Sequence, residues 1–264
     1  YKNSITIPSL DWYAENILSV TGKYNGVEKT IEKEFTVFKK GYSADPSTPN
    51  TAGSCTEVSP KSVSSEEETL PTGIAFSDDG RKMFIVGWDD DVNEYTLAGP
   101  YCLGTASFVD SFSVASQEDQ PTGIAFSNDG RKMFIVGSDG EEVNEYTLSE
   151  NFDVSTASFV DAFSVASQDD TPQGIAFSDD GLKMFIVGIA NDKVYEYKLS
   201  ENFDVSTASY VDSFDVSGEE LQPRDMAFDY SGKYMFILGK KGGDVTVYKL
   251  SENFDVSTAV VQTG

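Results

Sequence analysis

Four acidic residues occupy one repeated position in this chain, three residues before a proline. They are Glu68, Glu118, Asp169 and Glu220, and every copy keeps an acid there although its neighbours vary. Ca²⁺ takes roughly six to eight oxygen ligands, and carboxylates are prominent among them. Four carboxylates brought close together would repel one another unless a cation lay among them. We therefore predict a Ca²⁺ site at these residues, with four separately solvated loop acids as the alternative.

A second set of acids has a structural interpretation. Asp79, Asp129 and Asp180 each precede a glycine between two apolar runs, and Asp-Gly in that position is typical of a tight turn. The fourth copy has Ser231-Gly232 there, so the turn does not depend on the acid. We predict turns at these residues, with no metal bound.

The chain contains no histidine, which removes the usual general base and the commonest zinc ligand. Lys and Arg total 19 against 44 Asp and Glu, for a formal net charge of −25. Such a surface repels phosphate backbones and anionic headgroups. We expect neither nucleic acid nor a membrane as partner, and no apolar stretch is long enough to cross a bilayer.

The two cysteines, Cys55 and Cys102, lie in segments that depart from the repeat. We predict a disulfide between them, with two unrelated loop thiols as the alternative, and a disulfide needs an oxidising compartment. The sequence starts at Tyr1 rather than Met, and we therefore expect that the chain is processed on secretion. The predicted location is extracellular or at the cell surface.

A repeat of 50 or 51 residues organises most of the chain, and it is marked by Pro71, Pro121, Pro172 and Pro223. Each copy reads as two apolar runs around a turn, an alternating segment such as "VNEYTL", and another such as "FVDSFSV". Four strands per copy, repeated radially, are typical of a propeller blade. The predicted fold class is all-β, a four-bladed β-propeller with a short N-terminal β segment.

The repeated "P-x-G-I-A-F-S-x-D-G" pattern resembles the repeats of YVTN, NHL and lactonase-like propellers, especially those of secreted prokaryotic surface proteins. The resemblance covers residues 56 to 264 and implies the fold. Enzymatic members of these families hold a metal or a triad in the central channel, with His or Asn ligands. This chain has no histidine and its copies are closely alike, so we expect no enzyme.

The predicted domains are an N-terminal β segment at 1–41, a linker at 42–54 and the propeller at 55–264. The first contains three predicted strands, "SITIPSL", "ENILSVTGKY" and "EKEFTVFKKG", with a hairpin signal at "YNG". It resembles the closing strands of an immunoglobulin-like domain of surface-layer and adhesin proteins. Both residues 55–63 and the tail at 257–264 could supply the outer strand of blade four, and a spare strand would recruit partners.

These observations favour an extracellular structural or adhesive subunit that assembles with copies of itself, through strand exchange or edge pairing of its N-terminal segment, into a filament or lattice. One alternative is a Ca²⁺-dependent module that binds an extracellular glycan or protein. Another is a hydrolase or lactonase that works with carboxylates, since such a mechanism is possible without histidine.

Overall fold

The computed structural model describes residues 16–24, 27–35, 63, 70–240 and 245–262. The chain divides into two units, residues 1–45 and 46–264. The segment 42–54, predicted as a linker, lies outside the described residues, so that domain boundary stays a prediction.

The first unit contains two paired strands. β1 (Asn16–Tyr24) runs antiparallel to β2 (Val27–Phe35), and the pairing reaches Tyr24 and Val27. The hairpin predicted at "YNG" is therefore present. β2 begins earlier than the predicted strand at 32–41, because the hairpin register pairs residues from Val27 onward. The first predicted strand lies outside the described residues.

The second unit contains four blades, each a sheet of four antiparallel strands in chain order. Blade 1 consists of β3 (Pro71–Phe76), β4 (Lys82–Gly87), β5 (Asp91–Thr96) and β6 (Ser107–Ser113). Blade 2 consists of β7 (Pro121–Phe126), β8 (Lys132–Gly137), β9 (Glu142–Leu148) and β10 (Ala157–Ser164). Blade 3 consists of β11 (Pro172–Phe177), β12 (Lys183–Gly188), β13 (Lys193–Lys198) and β14 (Ser209–Asp215). Blade 4 consists of β15 (Pro223–Phe228), β16 (Tyr234–Gly239), β17 (Val245–Leu250) and β18 (Ala259–Val261).

A single 3₁₀ turn precedes the outer strand of every blade: Leu103–Thr105, Val154–Thr156, Val205–Thr207 and Val256–Thr258. The first strand of each blade is its inner strand, because β3, β7, β11 and β15 contact one another in succession. The predicted all-β, four-bladed fold is confirmed.

The hairpin between the first two strands of each blade has the predicted turn chemistry. In blade 2, Asp129 Oδ1 accepts hydrogen bonds from Ser127 Oγ at 2.7 Å and from the Arg131 N–H at 3.0 Å. Gly130 has a φ of +67°, a conformation that glycine adopts without steric cost. In blade 4 the carboxylate comes instead from Asp229, which accepts a hydrogen bond from the Ser231 N–H at 3.2 Å.

The core lies between neighbouring blades. We call the side of a blade that faces the next blade in the chain its following face, and the opposite side its preceding face. Phe134 and Val136 on the following face of blade 2 pack against Ile175, Met184 and Ile186 on the preceding face of blade 3. All five side chains are buried, so each sheet depends on its neighbour to exclude water from its apolar side.

At the interface between each described blade and the next, an ion pair of the first blade makes hydrogen bonds to the backbone of the second, and we call this pair the latch. Between blades 2 and 3, Lys132 Nζ lies 2.7 Å from Glu145 Oε1 and donates to the Phe203 carbonyl oxygen at 2.8 Å. Glu145 Oε2 accepts a hydrogen bond from the Val205 N–H at 3.0 Å. Lys82 with Glu94 and Lys183 with Glu196 make the same contacts one blade earlier and one blade later.

The tail of the chain supplies the outer strand of blade 4, because β18 pairs with β17. Of residues 55–63, the other candidate for that place, Val63 is described, and it packs against the core of blade 1. Within the described part of the chain, no helix has the length and apolar character needed to cross a membrane.

Candidate functional site

The structure places Glu118 inside its own blade. Its side chain is buried, and Oε1 accepts hydrogen bonds from the N–H groups of Gln120 at 2.8 Å and Asp139 at 3.1 Å. Oε2 accepts from the Gly140 N–H at 3.0 Å. Burial raises the pKa of this carboxyl group, while the three N–H donors act in the opposite direction. Glu118 therefore holds the loop that follows β8 in place.

Asp169 has the equivalent role in blade 3. Its carboxylate accepts hydrogen bonds from the Ala190 N–H at 3.2 Å, the Asn191 N–H at 3.3 Å and the Tyr195 hydroxyl at 3.1 Å. Glu220 is likewise buried, and a Cβ on Gly239 would collide with its carboxyl group. Among the residues that the structure describes, no three His, Cys, Asp or Glu side chains form a group able to hold a metal ion. Glu68 lies outside that set, so the Ca²⁺ site stays a prediction.

The predicted disulfide also stays a prediction. Cys102 is buried immediately before the 3₁₀ turn of blade 1, whereas Cys55 lies outside the described residues.

A differentiated polar site lies on the inner strands. In each of them the pairing register shifts at the second residue, which is a β-bulge of the kind that redirects a side chain. The bulged residues are Thr72, Thr122, Gln173 and Arg224. The threonine hydroxyls donate to the neighbouring blade, from Thr72 to the Pro121 carbonyl oxygen at 2.7 Å and from Thr122 to that of Pro172 at 3.0 Å.

Blade 4 departs from this pattern at two successive positions. The first three blades have Thr-Gly or Gln-Gly, whereas blade 4 has Arg224-Asp225. A Cβ on Gly123 would lie 2.6 Å from the Gln173 carbonyl oxygen, so close approach of the backbones requires glycine there. Blade 4 has Asp225 at this position, and Asp225 Oδ1 would lie 2.6 Å from a Cβ on Gly174 of blade 3.

The Arg224–Asp225 pair is held by its surroundings. Arg224 Nη1 donates to Gln173 Oε1 at 2.6 Å, and Gln173 Nε2 in turn donates to the Pro172 carbonyl oxygen at 3.0 Å. Asp225 Oδ1 accepts a hydrogen bond from the Met226 N–H at 2.8 Å. Both charged side chains are partly buried, so they are fixed in position yet reachable from solvent.

Burial raises the pKa of the Asp225 carboxyl group to about 6, and the Met226 N–H lowers it by a smaller amount. A carboxylate with a pKa near the ambient pH is suited to general base catalysis. Arg224 precedes Asp225 in the chain, and a guanidinium can stabilise negative charge that develops on a carbonyl oxygen. This inner-strand pair therefore has the groups needed to activate water and to stabilise the tetrahedral intermediate.

The expectation that the copies are too alike for a differentiated site is wrong for blade 4. The sequence contains the difference that marks this site, because blade 4 has "PRDMAF" where the other copies have "PTGIAF" or "PQGIAF". Periodicity drew attention to positions that recur, whereas this site lies where the repeat is broken.

A family model described as a lactonase, seven-bladed β-propeller, matches residues 107–259. The match runs from the outer strand of blade 1 into blade 4 and includes both Arg224 and Asp225. No curated protein sequence matches the chain.

Solved structures with the same arrangement of blades include two Bacteroides proteins provisionally named 6-phosphogluconolactonase. The one from Bacteroides uniformis is 16% identical, with 73% of this chain and 52% of the other aligned and a TM-score of 0.50. The one from Bacteroides fragilis is also 16% identical, over 75% and 55% of the two chains, with a TM-score of 0.50. A protein of unknown function from Desulfotomaculum acetoxidans is 14% identical over 74% and 56%, again with a TM-score of 0.50.

At these identities the likeness shows the fold alone, and the chain spans about half the length of the structures it matches. The family match contradicts two expectations from the sequence. The expectation of a self-assembling structural or adhesive subunit is wrong, and so is the expectation that the chain is no enzyme. The absence of histidine does not exclude catalysis, because a buried carboxylate can act as a base near neutral pH. Of the functions left open by the sequence, the match favours the hydrolase or lactonase.

Proposed function

The chain belongs to the lactonase family of β-propeller proteins, and on that premise we propose that it hydrolyses a lactone ring at the pair formed by Arg224 and Asp225. The observation that carries the proposal is the change from Thr-Gly or Gln-Gly to Arg-Asp in the inner strand of blade 4. A catalytic pair present once among four similar blades makes one active site rather than four.

The reaction follows from the two side chains. The carboxylate of Asp225 takes a proton from water, and the water oxygen forms a bond to the lactone carbonyl carbon. The Arg224 guanidinium stabilises the oxyanion of the tetrahedral intermediate. The bond from that carbon to the ring oxygen then breaks, and the ring oxygen receives the proton from Asp225, which leaves an open-chain hydroxy acid and restores the carboxylate.

The substrate we propose is an uncharged lactone, such as a sugar lactone without a phosphate group. The net charge of −25 makes the approach of an anion unfavourable at low ionic strength. Two of the structural neighbours are provisionally named for a phosphorylated sugar lactone. A comparison of glucono-δ-lactone with its 6-phosphate tests this point directly.

The experiment measures hydrolysis of both lactones above the spontaneous rate, by acid release in a weakly buffered indicator assay. We expect kcat/KM to rise with pH through about 6, the pKa of Asp225, because the ionised form is the base. Asp225→Asn should lower kcat/KM by at least roughly 100-fold, the range typical of a general base. Glu252→Gln, an exposed acid of the same blade, is the matched control and should retain full activity.

Arg224→Gln separates oxyanion stabilisation from substrate binding, because loss of the guanidinium should lower kcat more than it raises KM. Full activity of Asp225→Asn in a folded protein would overturn the assignment of the site. Absence of hydrolysis with the parent chain across a panel of uncharged lactones would overturn the activity itself.

A further inference from the structure

The break in the repeat extends over two neighbouring blades. The bulged residue of the inner strand is threonine in blades 1 and 2, glutamine in blade 3 and arginine in blade 4. Gln173 and Arg224 thus depart from the pattern at the same repeat position, in inner strands that contact each other. Two changes side by side at one position indicate that the two residues act together.

Gln173 restrains the charged end of Arg224. Its Oε1 accepts a hydrogen bond from Arg224 Nη1 at 2.6 Å, and a hydrogen bond from a charged donor is among the stronger ones in proteins. Gln173 is 5% exposed, so water does not readily replace it as the acceptor, whereas Arg224 is half-buried. The contact therefore fixes the guanidinium of a long side chain that would otherwise populate many rotamers.

The orientation of the Gln173 amide follows from its other partner. Nε2 donates to the Pro172 carbonyl oxygen at 3.0 Å, and a carbonyl oxygen accepts hydrogen bonds but cannot donate them. The amide nitrogen therefore faces Pro172, and Oε1 faces Arg224. The same carbonyl oxygen also accepts the Thr122 hydroxyl of blade 2 at 3.0 Å. Arg224 is thus held by an acceptor that is itself anchored to the backbone.

The joining of blades does not explain the glutamine. Thr72 and Thr122 each donate to the proline carbonyl oxygen of the next blade, and a threonine at position 173 would be placed to donate to that of Pro223. Gln173 instead directs its donor to the proline of its own blade and its acceptor to Arg224. The change from threonine to glutamine therefore exchanges a bond to the next backbone for a bond to the next bulged side chain.

The next residue of blade 3 makes room for Asp225. A Cβ on Gly174 would lie 2.6 Å from Asp225 Oδ1 and 2.9 Å from its Cα, so a larger residue at 174 would displace the carboxylate. Gln173 meanwhile contacts the guanidinium of Arg224. One dipeptide of blade 3 therefore locates both members of the pair in blade 4.

We propose that Gln173 is a positioning residue for lactone hydrolysis, because it holds the Arg224 guanidinium where the oxyanion forms. This role rests on the proposed function, since Arg224 meets an oxyanion only if the chain hydrolyses a lactone. Gln173 does not touch the reacting atoms and acts through Arg224. A guanidinium that is fixed before the reaction need not reorganise as negative charge develops, so loss of Gln173 lowers kcat more than it changes substrate binding.

The first test compares lactone hydrolysis by the parent chain, Gln173→Thr and Gln173→Met. The threonine restores the residue of the repeat, and the methionine keeps the length of the side chain without its acceptor. In both variants the Pro172 carbonyl oxygen keeps the Thr122 hydroxyl as a donor. We expect kcat to fall about 10-fold and KM to change by less than about threefold. The control is Glu145→Ala, which removes a latch contact away from the inner strands and should keep the parent kcat.

A second measurement follows Arg224 without turnover. The chain contains three arginines, Arg81, Arg131 and Arg224, so nitrogen-15 NMR of their side chains gives few signals, and the one lost in Arg224→Gln belongs to Arg224. In Gln173→Met, rotation of the Arg224 guanidinium about its Nε–Cζ bond should be about 10-fold faster than in the parent chain, the factor expected for loss of one hydrogen bond to a charged group. The signals of Arg81 and Arg131 should not change.

The two measurements separate failure of this role from failure of the proposed function. If the parent chain hydrolyses no lactone, the proposed function fails, and the NMR comparison still decides whether Gln173 holds Arg224. Unchanged rotation of Arg224 in Gln173→Met would overturn the role of Gln173. So would an unchanged kcat in both variants with native melting profiles. A rise in KM larger than the fall in kcat would also overturn it, because Gln173 would then act in substrate binding.

Discussion

Replacing Asp225 by Asn should stabilise the protein above neutral pH, and the pH dependence of that gain is the informative quantity. The two side chains have nearly the same size, and the amide oxygen of asparagine can still accept the hydrogen bond that Met226 donates at 2.8 Å. What changes is the charge. The carboxylate of Asp225 has one described N–H donor and is partly withdrawn from water, so its ionised form carries a desolvation cost.

The size of that cost follows from the two pKa values. The carboxyl group has a pKa of about 6 in the folded chain, against about 4 for an unperturbed aspartate. A raised pKa means that the folded state binds the proton more tightly, so the contribution to stability is complete below about pH 4 and is lost as the pH rises through about 6. Two units correspond to about 3 kcal/mol, which is the most that the substitution should add at pH 8.

The assay is urea denaturation of the parent chain and of Asp225→Asn at pH 5 and pH 8, since the isoelectric point of about 4.1 makes lower pH unsuitable. Linkage leaves roughly 1.5 kcal/mol of the gain at pH 5 and nearly all of it at pH 8, so the difference between the two pH values should be about 1 kcal/mol or slightly more. At pH 8 the melting temperature should rise by roughly 5–10 °C. An equal effect at both pH values, or destabilisation at pH 8, would refute the assignment of Asp225 as a desolvated carboxylate.

The blade interfaces and the buried acids provide two further tests, both read by thermal or urea denaturation. Glu145→Ala should cost about 1–3 kcal/mol, because it leaves the buried Val205 N–H without its acceptor and removes the carboxylate paired with Lys132, whereas exposed Glu150→Ala should change stability by less than about 0.5 kcal/mol; similar effects of the two changes would contradict the latch. Gly188→Ala should destabilise by roughly 1–3 kcal/mol, because its Cβ would collide with the buried Asp169 carboxyl group. Its control is Gly218→Ala, whose Cβ meets nothing within 4 Å; we expect no loss there, and a loss as large as that of Gly188→Ala would mean that the collision is not the cause.

The acidic residues differ in how much of their structural role could be predicted from the sequence. Asp129 was predicted as a turn residue, and it is one, because an Asp-Gly turn depends on a few adjacent residues whose chemistry is present in the chain itself. Glu118 and Asp169 were correctly recognised as members of one recurring set, but their positions relative to the backbone depended on the packed blade. Each is buried against N–H groups about 21 residues further along the chain, a separation that no local pattern reveals.

By itself the sequence determined the repeat, the strands, the tight turns and the four-bladed architecture, because the period-two alternation and the turn residues act over a few positions. Only the tertiary structure decided which sides of the sheets are covered. Phe134 and Leu238 occupy similar strands, yet one is buried by the next blade and the other is largely exposed. Asp225 likewise occupies the position at which the first three blades have glycine, where the backbone of the next inner strand leaves no room for a Cβ. The burial, the pKa and the hydrogen-bond partners of a side chain depend on the elements packed against it, and a repeat in the sequence does not specify those elements.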